Sequence, residues 1–183
     1  MIVPRPIAWV SSLSPAGIVN LAPFSFFNGI TSRPPMLMFV PVTKSDGTPK
    51  DTLRNIEATK EFVVNLVSAQ QAEAMNATSA ELPPDESEFD HFSIDAVASD
   101  RVAPPRVAGA PIAMECKLEQ ITRIGDAPGI ANVVFGRILC AHIDDAVIND
   151  AGRIDPAKLD LIGRMGGGDY CTTRDQFTIS RPE

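Results

Sequence analysis

Residues 20–28 read Asn-Leu-Ala-Pro-Phe-Ser-Phe-Phe-Asn, and the organisation of the chain follows from this segment. It mixes apolar side chains, which favour burial, with polar ones, and it places Pro23 in the middle. Because proline has no amide hydrogen, it is tolerated in a β-sheet only on an edge strand or at a bulge. The interruption is expected to leave the amides of Phe24 and Ser25 in need of another partner.

Two interpretations of this segment stay open from the residues alone. A flat heteroaromatic ligand would suit it, because phenylalanine side chains can pack on a ring while main-chain groups meet the ring heteroatoms. A bulged strand, whose asparagine and serine side chains satisfy their own backbone, would produce the same pattern.

Composition limits the classes of function. The 183 residues fit one domain, with 44% hydrophobic and 21% charged residues. A net charge of −7 and a pI near 4.8 argue against nucleic acid as a partner. No apolar run reaches the roughly 20 residues that cross a bilayer, and no signal peptide is recognisable. A cytoplasmic protein without membrane contact is predicted.

The cysteines and histidines predict neither a disulfide framework nor a metal site. The three cysteines, Cys116, Cys140 and Cys171, form no C-x-x-C pair. The two histidines, His91 and His142, are far apart in the sequence, and no metal-ligand spacing includes them. His142 lies in a predicted strand and is interpreted as a core residue rather than a catalyst.

Hydrophobic periodicity and turn residues predict a mainly β chain with a few helices. The turn Ser14-Pro15-Ala16-Gly17 should join the first two strands as a hairpin. The chain starts directly on an apolar segment, so a preceding segment is expected. Residues 79–111 are predicted to form a long, loop-rich excursion packed on the domain. Strands are predicted at 6–13, 18–24, 36–42, 62–66, Ile112–Ile124 and Ala131–Ile143. Helices are predicted to begin at residues 50–52, with Leu53 and Ile56 on the apolar side, and to cover about 68–77 and 156–161.

The long strand Ala131–Ile143 is apolar on both faces. Val134, Gly136 and Ile138 alternate with Val133 and Phe135, so neither face shows the polar pattern of a solvent-facing surface. One face is expected to fill a barrel, and the other to meet a helix or a second subunit.

Lys50-Asp51-Thr52 marks the start of a helix and is the second informative segment. A helix N-terminus offers unpaired amides and the positive end of the helix dipole, which favour phosphate. Asp51 or Thr52 can be the N-cap; the preferred arrangement has Asp51 capping while Lys50 and Thr52 face the anion. An ordinary capped surface helix remains the alternative.

Residues 163–170, Gly-Arg-Met-Gly-Gly-Gly-Asp-Tyr, are predicted to form a glycine-rich loop. The context matches neither the Rossmann fingerprint nor the P-loop. Arg164 could contact a phosphate and Tyr170 could stack on a ring, although a flexible C-terminal loop fits equally well. With so few acid or base candidates, an enzyme here would take its chemistry from a cofactor.

Together these segments resemble the flavin reductase-like family of FMN-binding split-barrel proteins. The resemblance rests on residues 5–12, 20–28, the pattern Lys50-Asp51-Thr52-x-x-Asn55, and residues 163–167, in this order along the chain. It implies a mainly β protein with flanking helices, built as a six-stranded antiparallel Greek-key split β-barrel. It also implies one domain over residues 1–183, a homodimer, and FMN near the subunit interface.

The resemblance further implies roles for individual residues. The ribityl-phosphate end of FMN would be held by Ser11, Ser12, Lys50, Asp51 and Thr52. The isoalloxazine would be lined by Asn20, Ala22, Phe24 and Ser25, with Phe26 and Asn28 close by. A C-terminal loop at the cofactor, from this chain or its partner, would supply Arg164 and Tyr170. No side chain is assigned a catalytic role, because the flavin carries the chemistry.

The activity implied is that of an NAD(P)H:flavin oxidoreductase. NADH or NADPH would reduce bound FMN, and electrons would pass to free flavin or another acceptor, with a monooxygenase or another redox protein as partner. The alternative is an FMN-binding electron carrier of the flavoredoxin type, reduced by a protein donor. A barrel that has lost its flavin is a third reading, against which the intact Asn20 and Lys50 segments count. The family usually carries a further N-terminal stretch, and residues 79–111 lie where its members differ.

Overall fold

The computed structural model describes residues 2–182. Its β-strands are β1 (Arg5–Pro6), β2 (Ala8–Leu13), β3 (Val19–Phe24), β4 (Phe27–Ser32), β5 (Pro35–Phe39), β6 (Glu61–Asn65), β7 (Ala96–Val97), β8 (Arg106–Val107), β9 (Ile112–Ile124), β10 (Ala131–Ile143), β11 (Ile162–Gly166) and β12 (Asp169–Thr172). Its α-helices are α1 (Asp51–Thr59), α2 (Ala72–Ala77), α3 (Glu88–His91) and α4 (Pro156–Leu159), with single 3-10 turns at Ala69–Gln71 and Asp145–Val147.

One antiparallel sheet forms the body of the protein, in the strand order β3-β2-β6-β9-β10-β5-β4. Its two end strands, β3 and β4, are joined in the chain by Ser25 and Phe26 alone. The sheet therefore curls round so that its ends meet through a short connection, as a split barrel. The predicted mainly β class with flanking helices is confirmed.

The sheet has seven strands where six were expected, and β4 is the strand that was not predicted. The sequence of β4, Phe-Asn-Gly-Ile-Thr-Ser, shows no alternation of apolar and polar residues, and five of its six residues are exposed. An exposed end strand needs little apolar surface, because it is held by its ladder with β5. Hydrophobic periodicity could not reveal it.

The barrel interior is filled by side chains from six strands and from α1. Phe24, Phe39 and Phe62 form a row at its centre, with ring centroids 5.1 Å and 5.5 Å apart. On β10, Val134 is buried among them, which confirms that this face of the strand fills the barrel. The buried cluster consists of Ala8, Val10, Phe24, Leu37, Phe39, Leu53, Ile56, Phe62, Val64, Cys116 and Val134.

Pro23 lies in β3, an edge strand, which is one of the two positions that its missing amide allowed. The amide of Leu21 donates to Glu88 at 2.8 Å rather than to β2, so its side of β3 faces away from the ladder. Amides alternate sides along a strand, so the Pro23 nitrogen shares that side and costs no ladder bond. The same alternation turns the Phe24 amide toward β2. Of the two amides that were expected to need another partner, only that of Ser25 lies beyond the end of β3.

The glycine-rich segment 163–170 is a hairpin, not the loop that was predicted. β11 and β12 pair antiparallel, and β1 extends this small sheet by pairing Arg5 with Arg164. Gly166 and Gly167 have φ of 121° and 55° at the turn, which explains the glycines without a loop. The hairpin fixes Arg164 and Tyr170 on a rigid element opposite each other.

The excursion over residues 79–111 packs on the domain as predicted. It contributes Phe89, Val102 and Val107 to buried clusters, with α3 and the small β7–β8 pair as its regular structure. Within residues 2–182, no helix combines the length and apolarity that spanning a membrane requires.

Candidate functional site

The start of α1 presents free backbone donors. Lys50 is the N-cap residue, in extended conformation and without a side-chain capping bond, so the expected capping by Asp51 or Thr52 is wrong. The amides of Leu53 and Arg54 donate to the Lys50 carbonyl. Within residues 2–182 the amides of Asp51 and Thr52 have no acceptor. Two donors at the positive end of a nine-residue helix thus face outward.

Two lysines set the charge at this point. Lys44 lies 3.9 Å from carboxylate oxygens of both Asp51 and Glu81. Asp51 also forms a close ion pair with Arg54, so its negative charge is compensated on two sides. Lys50 has no carboxylate within 4.0 Å in the part of the chain that the structure describes. Its ammonium group is therefore the cation left for an anionic ligand.

A buried polar network lies behind the α1 N-terminus. The Thr52 hydroxyl donates to Asn20 Oδ1 at 2.7 Å, and Asn20 Nδ2 donates to Glu88 Oε1 at 2.8 Å. Thr52 is 1% exposed, so its hydroxyl faces Asn20 and not the expected anion. The network ties β3, α1 and α3 together and fixes the floor of the site.

The two serines of β2 lie on opposite faces of the strand. Ser12 is buried and joins the network, accepting from Asn55 Nδ2 at 3.2 Å. Ser11 points the other way, and its hydroxyl donates to the Pro105 carbonyl. Alternation along a strand requires this division, so Ser11 cannot reach the site that Ser12 supports.

The α1 N-terminus opens into a surface groove. The groove encloses about 720 Å³, including the space at its mouth. Its walls combine β3, the start of α1 and the segment after α2. The lining residues that β3 and α1 supply are Asn20, Ala22, Pro23, Phe24, Lys50, Asp51, Thr52 and Asn55.

A second groove adjoins the first along β3 and shares Pro23, Phe24 and Ser79 with it. It brings together Ser25 and the β11–β12 hairpin, where the Arg164 guanidinium lies 4.7 Å from the Tyr170 ring centroid. The two grooves together form a continuous surface from Lys50 to Arg164. We call this surface the β3 groove.

Besides Ser11 and Ser12, which line neither part of the β3 groove, two further predicted residues lie outside it. Phe26 is 55% exposed, with the Arg5 guanidinium 5.4 Å from its ring centroid. Asn28 is exposed on β4 and accepts from the Gly29 amide. Neither residue lines the groove.

Sequence reasoning missed Glu88 and Lys44. Glu88 lines the groove and is 5% exposed. Burial raises the pKa of its carboxyl above the ordinary value, against the lowering effect of the bonds from Leu21 and Asn20. No local pattern marks Glu88, because its partner Asn20 is 68 residues away.

We expect the contribution of Glu88 to the free energy of unfolding to decrease as pH rises. The pKa of the Glu88 carboxyl is raised in the folded state. Between the ordinary pKa and this raised pKa, the carboxyl keeps its proton in the folded protein but has lost it in the unfolded chain. Glu88→Gln removes this titration, so the free energy of unfolding of the wild type minus that of the variant should decrease with rising pH. Urea unfolding at several values between about pH 4 and pH 8 measures it. Parallel pH profiles would contradict the prediction.

Comparison with known proteins agrees with this architecture. The family model described as flavin reductase like domain matches residues 1–156. Nitrilotriacetate monooxygenase component B from Bacillus cereus is 34% identical, with a TM-score of 0.91 over 97% of this chain and 88% of that chain.

Two further structures are similar. The 2-nitrobenzoate 2-nitroreductase NbaA from Pseudomonas fluorescens is 34% identical, with a TM-score of 0.86 over 99% of this chain and 86% of that chain. A putative flavin reductase with a split barrel domain from Shewanella frigidimarina shares the fold, at 22% identity and a TM-score of 0.81 over 98% of this chain and 85% of that chain. The family model covers most of the chain, and the chain therefore belongs to the flavin reductase-like family.

Proposed function

We propose that the β3 groove binds FMN with its phosphate at the start of α1. The donor set suits a phosphate, because the Asp51 and Thr52 amides and the Lys50 ammonium group are free to donate to its oxygens. This group of free donors is the observation that carries the proposal. Lys44, shared between two carboxylates, adds positive charge nearby.

The other end of the groove suits an aromatic ring. Ala22, Phe24 and Pro23 offer an apolar wall, and Ser25 offers a hydroxyl and a main-chain amide beyond the strand end. Arg164 and Tyr170 face this wall from the hairpin. A guanidinium here would stabilise the negative charge that a reduced ring carries, and Tyr170 holds the guanidinium in place.

Bound FMN would supply the redox chemistry, taking a hydride from NADH or NADPH and passing electrons to free flavin or another acceptor. The protein's residues hold and orient the cofactor. The buried network of Thr52, Asn20 and Glu88 fixes the groove floor, so the cofactor is positioned without rearrangement of the protein. The similar nitroreductase and monooxygenase component support an oxidoreductase.

We place this protein in the cytoplasm as a homodimer, with a monooxygenase or another redox protein as partner. Exposed apolar side chains on β9 and β10 support the dimer, since Ile124, Leu139 and Ile143 are 58%, 40% and 38% exposed. Three free thiols are compatible with a reducing compartment.

Anaerobic reduction tests the proposed activity. The protein is loaded with FMN, and the visible absorption of the flavin is followed as NADH and then NADPH is added. Rapid bleaching by one nucleotide is expected, and it identifies the donor. FMN that binds but stays oxidised with both nucleotides would overturn the reductase in favour of an electron carrier reduced by a protein. Absence of FMN binding would overturn the cofactor assignment itself.

A further inference from the structure

A second cluster of reactive side chains lies away from the β3 groove, on the outer face of β9 and β10. A bulge between Ile138 and Cys140 turns the following residues of β10 to the outer face, from which Cys140 and His142 both project. Cys140 pairs across the ladder with Glu115 of β9. Asp100, from the excursion, completes a group whose ligand atoms all lie within 4.8 Å of one another.

The carboxylate at the centre of this cluster is held in place by the backbone. Glu115 is 0% exposed and accepts hydrogen bonds from the amides of Asp100, Arg101 and Val102. Its remaining acceptor position, on Oε1, faces His142 Nε2. The oxygen is thus fixed, and its fourth partner is an imidazole nitrogen that can also ligate a metal.

The distances within the cluster suit a small tetrahedral cation. Ligands about 2.0–2.3 Å from zinc lie roughly 3.2–3.8 Å from one another. His142 Nε2 is 3.7 Å from Cys140 Sγ and 3.9 Å from Asp100 Oδ2. His142 Nε2 and Glu115 Oε1 form a hydrogen bond in this structure. When a metal binds, it replaces the proton between these two atoms, and their separation has to increase.

We infer that Asp100, Glu115, Cys140 and His142 form a zinc site. One thiolate, one imidazole and two carboxylates are ligand types that zinc accepts, and the thiolate selects against magnesium and calcium. Entry is from solvent, since the Asp100 and His142 side chains are 66% and 21% exposed. A bound ion would fasten residues 100–102 to the barrel. No motif in the sequence marks this site, because its ligands come from three separate segments.

Cobalt is the probe for this site, used with the full chain after it has been freed of flavin, treated with a chelator and reduced. One equivalent of Co²⁺ is expected to produce visible d–d bands, at wavelengths beyond the absorption of oxidised flavin, and a near-ultraviolet thiolate charge-transfer band. Added Zn²⁺ should displace Co²⁺ and abolish both. Absence of these bands from the wild type would overturn the assignment.

Variants identify the ligands. Cys140→Ser should lose the charge-transfer band, whereas Cys171→Ser, the matched control outside the cluster, should keep it. Asp100→Ala should weaken Co²⁺ binding and is expected to fold, because the loop is anchored by the Asp100 amide and not by its side chain. Identical spectra and affinities in Cys140→Ser and Cys171→Ser would overturn the site.

Thermal unfolding gives a second readout. Zn²⁺ should raise the unfolding temperature of the wild type and of Cys171→Ser, because a ligand that binds only the folded state stabilises it. His142→Ala should show no such rise, although its unfolding temperature in chelator reports any loss of folding separately. A rise of equal size in His142→Ala would mean that zinc binds elsewhere and would overturn the assignment.

Discussion

Replacing Gly136 with alanine is expected to destabilise the protein by about 3 kcal/mol or more. A Cβ atom at this position of β10 would lie 2.4 Å from Cζ of Phe62. Phe62 is fully buried and packs on Phe39, which packs on Phe24, so the ring has no space to move into. The added methyl group must therefore displace the aromatic row or bend β10.

Urea unfolding measures this effect, and Gly29→Ala is the matched control. Gly29 also lies in a strand, but a Cβ atom there would meet no atom within 4 Å. Its substitution should change the free energy of unfolding by less than about 0.5 kcal/mol. Adding Phe62→Leu to Gly136→Ala should restore part of the loss, because the smaller side chain relieves the clash. Equal stabilities of Gly136→Ala and Gly29→Ala would show that the contact does not constrain the barrel.

Replacing Lys50 with alanine is expected to weaken FMN binding by about 10-fold to 100-fold. A hydrogen bond from a charged group is worth roughly 1.5–3 kcal/mol, and each 1.4 kcal/mol is a factor of ten. Lys50 has no carboxylate partner in residues 2–182, so its removal leaves no buried charge behind. The loss therefore reports its contact with the ligand.

Riboflavin, which lacks the phosphate, separates this role from a general one. Its affinity should be the same for Lys50→Ala and the wild type, measured by quenching of the flavin fluorescence. Lys117→Ala, a half-exposed lysine of β9 outside the groove, is the control and should leave FMN binding unchanged. A parallel loss of riboflavin affinity would place Lys50 away from the phosphate.

Local chemistry was enough to predict much of the strand framework. The turn at residues 14–17 joins β2 and β3, as its proline and glycine required, with the Gly17 amide donating to the Ser14 carbonyl at 2.9 Å. The long strands Ile112–Ile124 and Ala131–Ile143 were predicted to the residue. Pro23 limited its strand to an edge or a bulge, because a missing amide hydrogen has the same effect in any context, and β3 is an edge strand.

Two sequence predictions were wrong because each considered a residue without its tertiary neighbours. The glycines around Gly166 predict a loop because glycine disfavours strands, but pairing with β1 and β12 overrides that preference. The cap of α1 was assigned by residue type, yet Lys50 takes the position and Asp51 pairs with Arg54 instead. In both cases an interaction with a neighbouring group outweighed the intrinsic tendency of the residue.

The sequence alone determined the family, the mainly β class and three of the segments that line the β3 groove, around residues 20–25, 50–52 and 164–170, because these depend on residue type and spacing along the chain. Only the tertiary structure decided which residues of distant segments come into contact. Asn20 with Glu88, Gly136 with Phe62, and the four ligands around Glu115 join distant segments. Such contacts depend on strand register and on the curl of the sheet, which arise when the whole barrel packs and leave no signature in any local stretch.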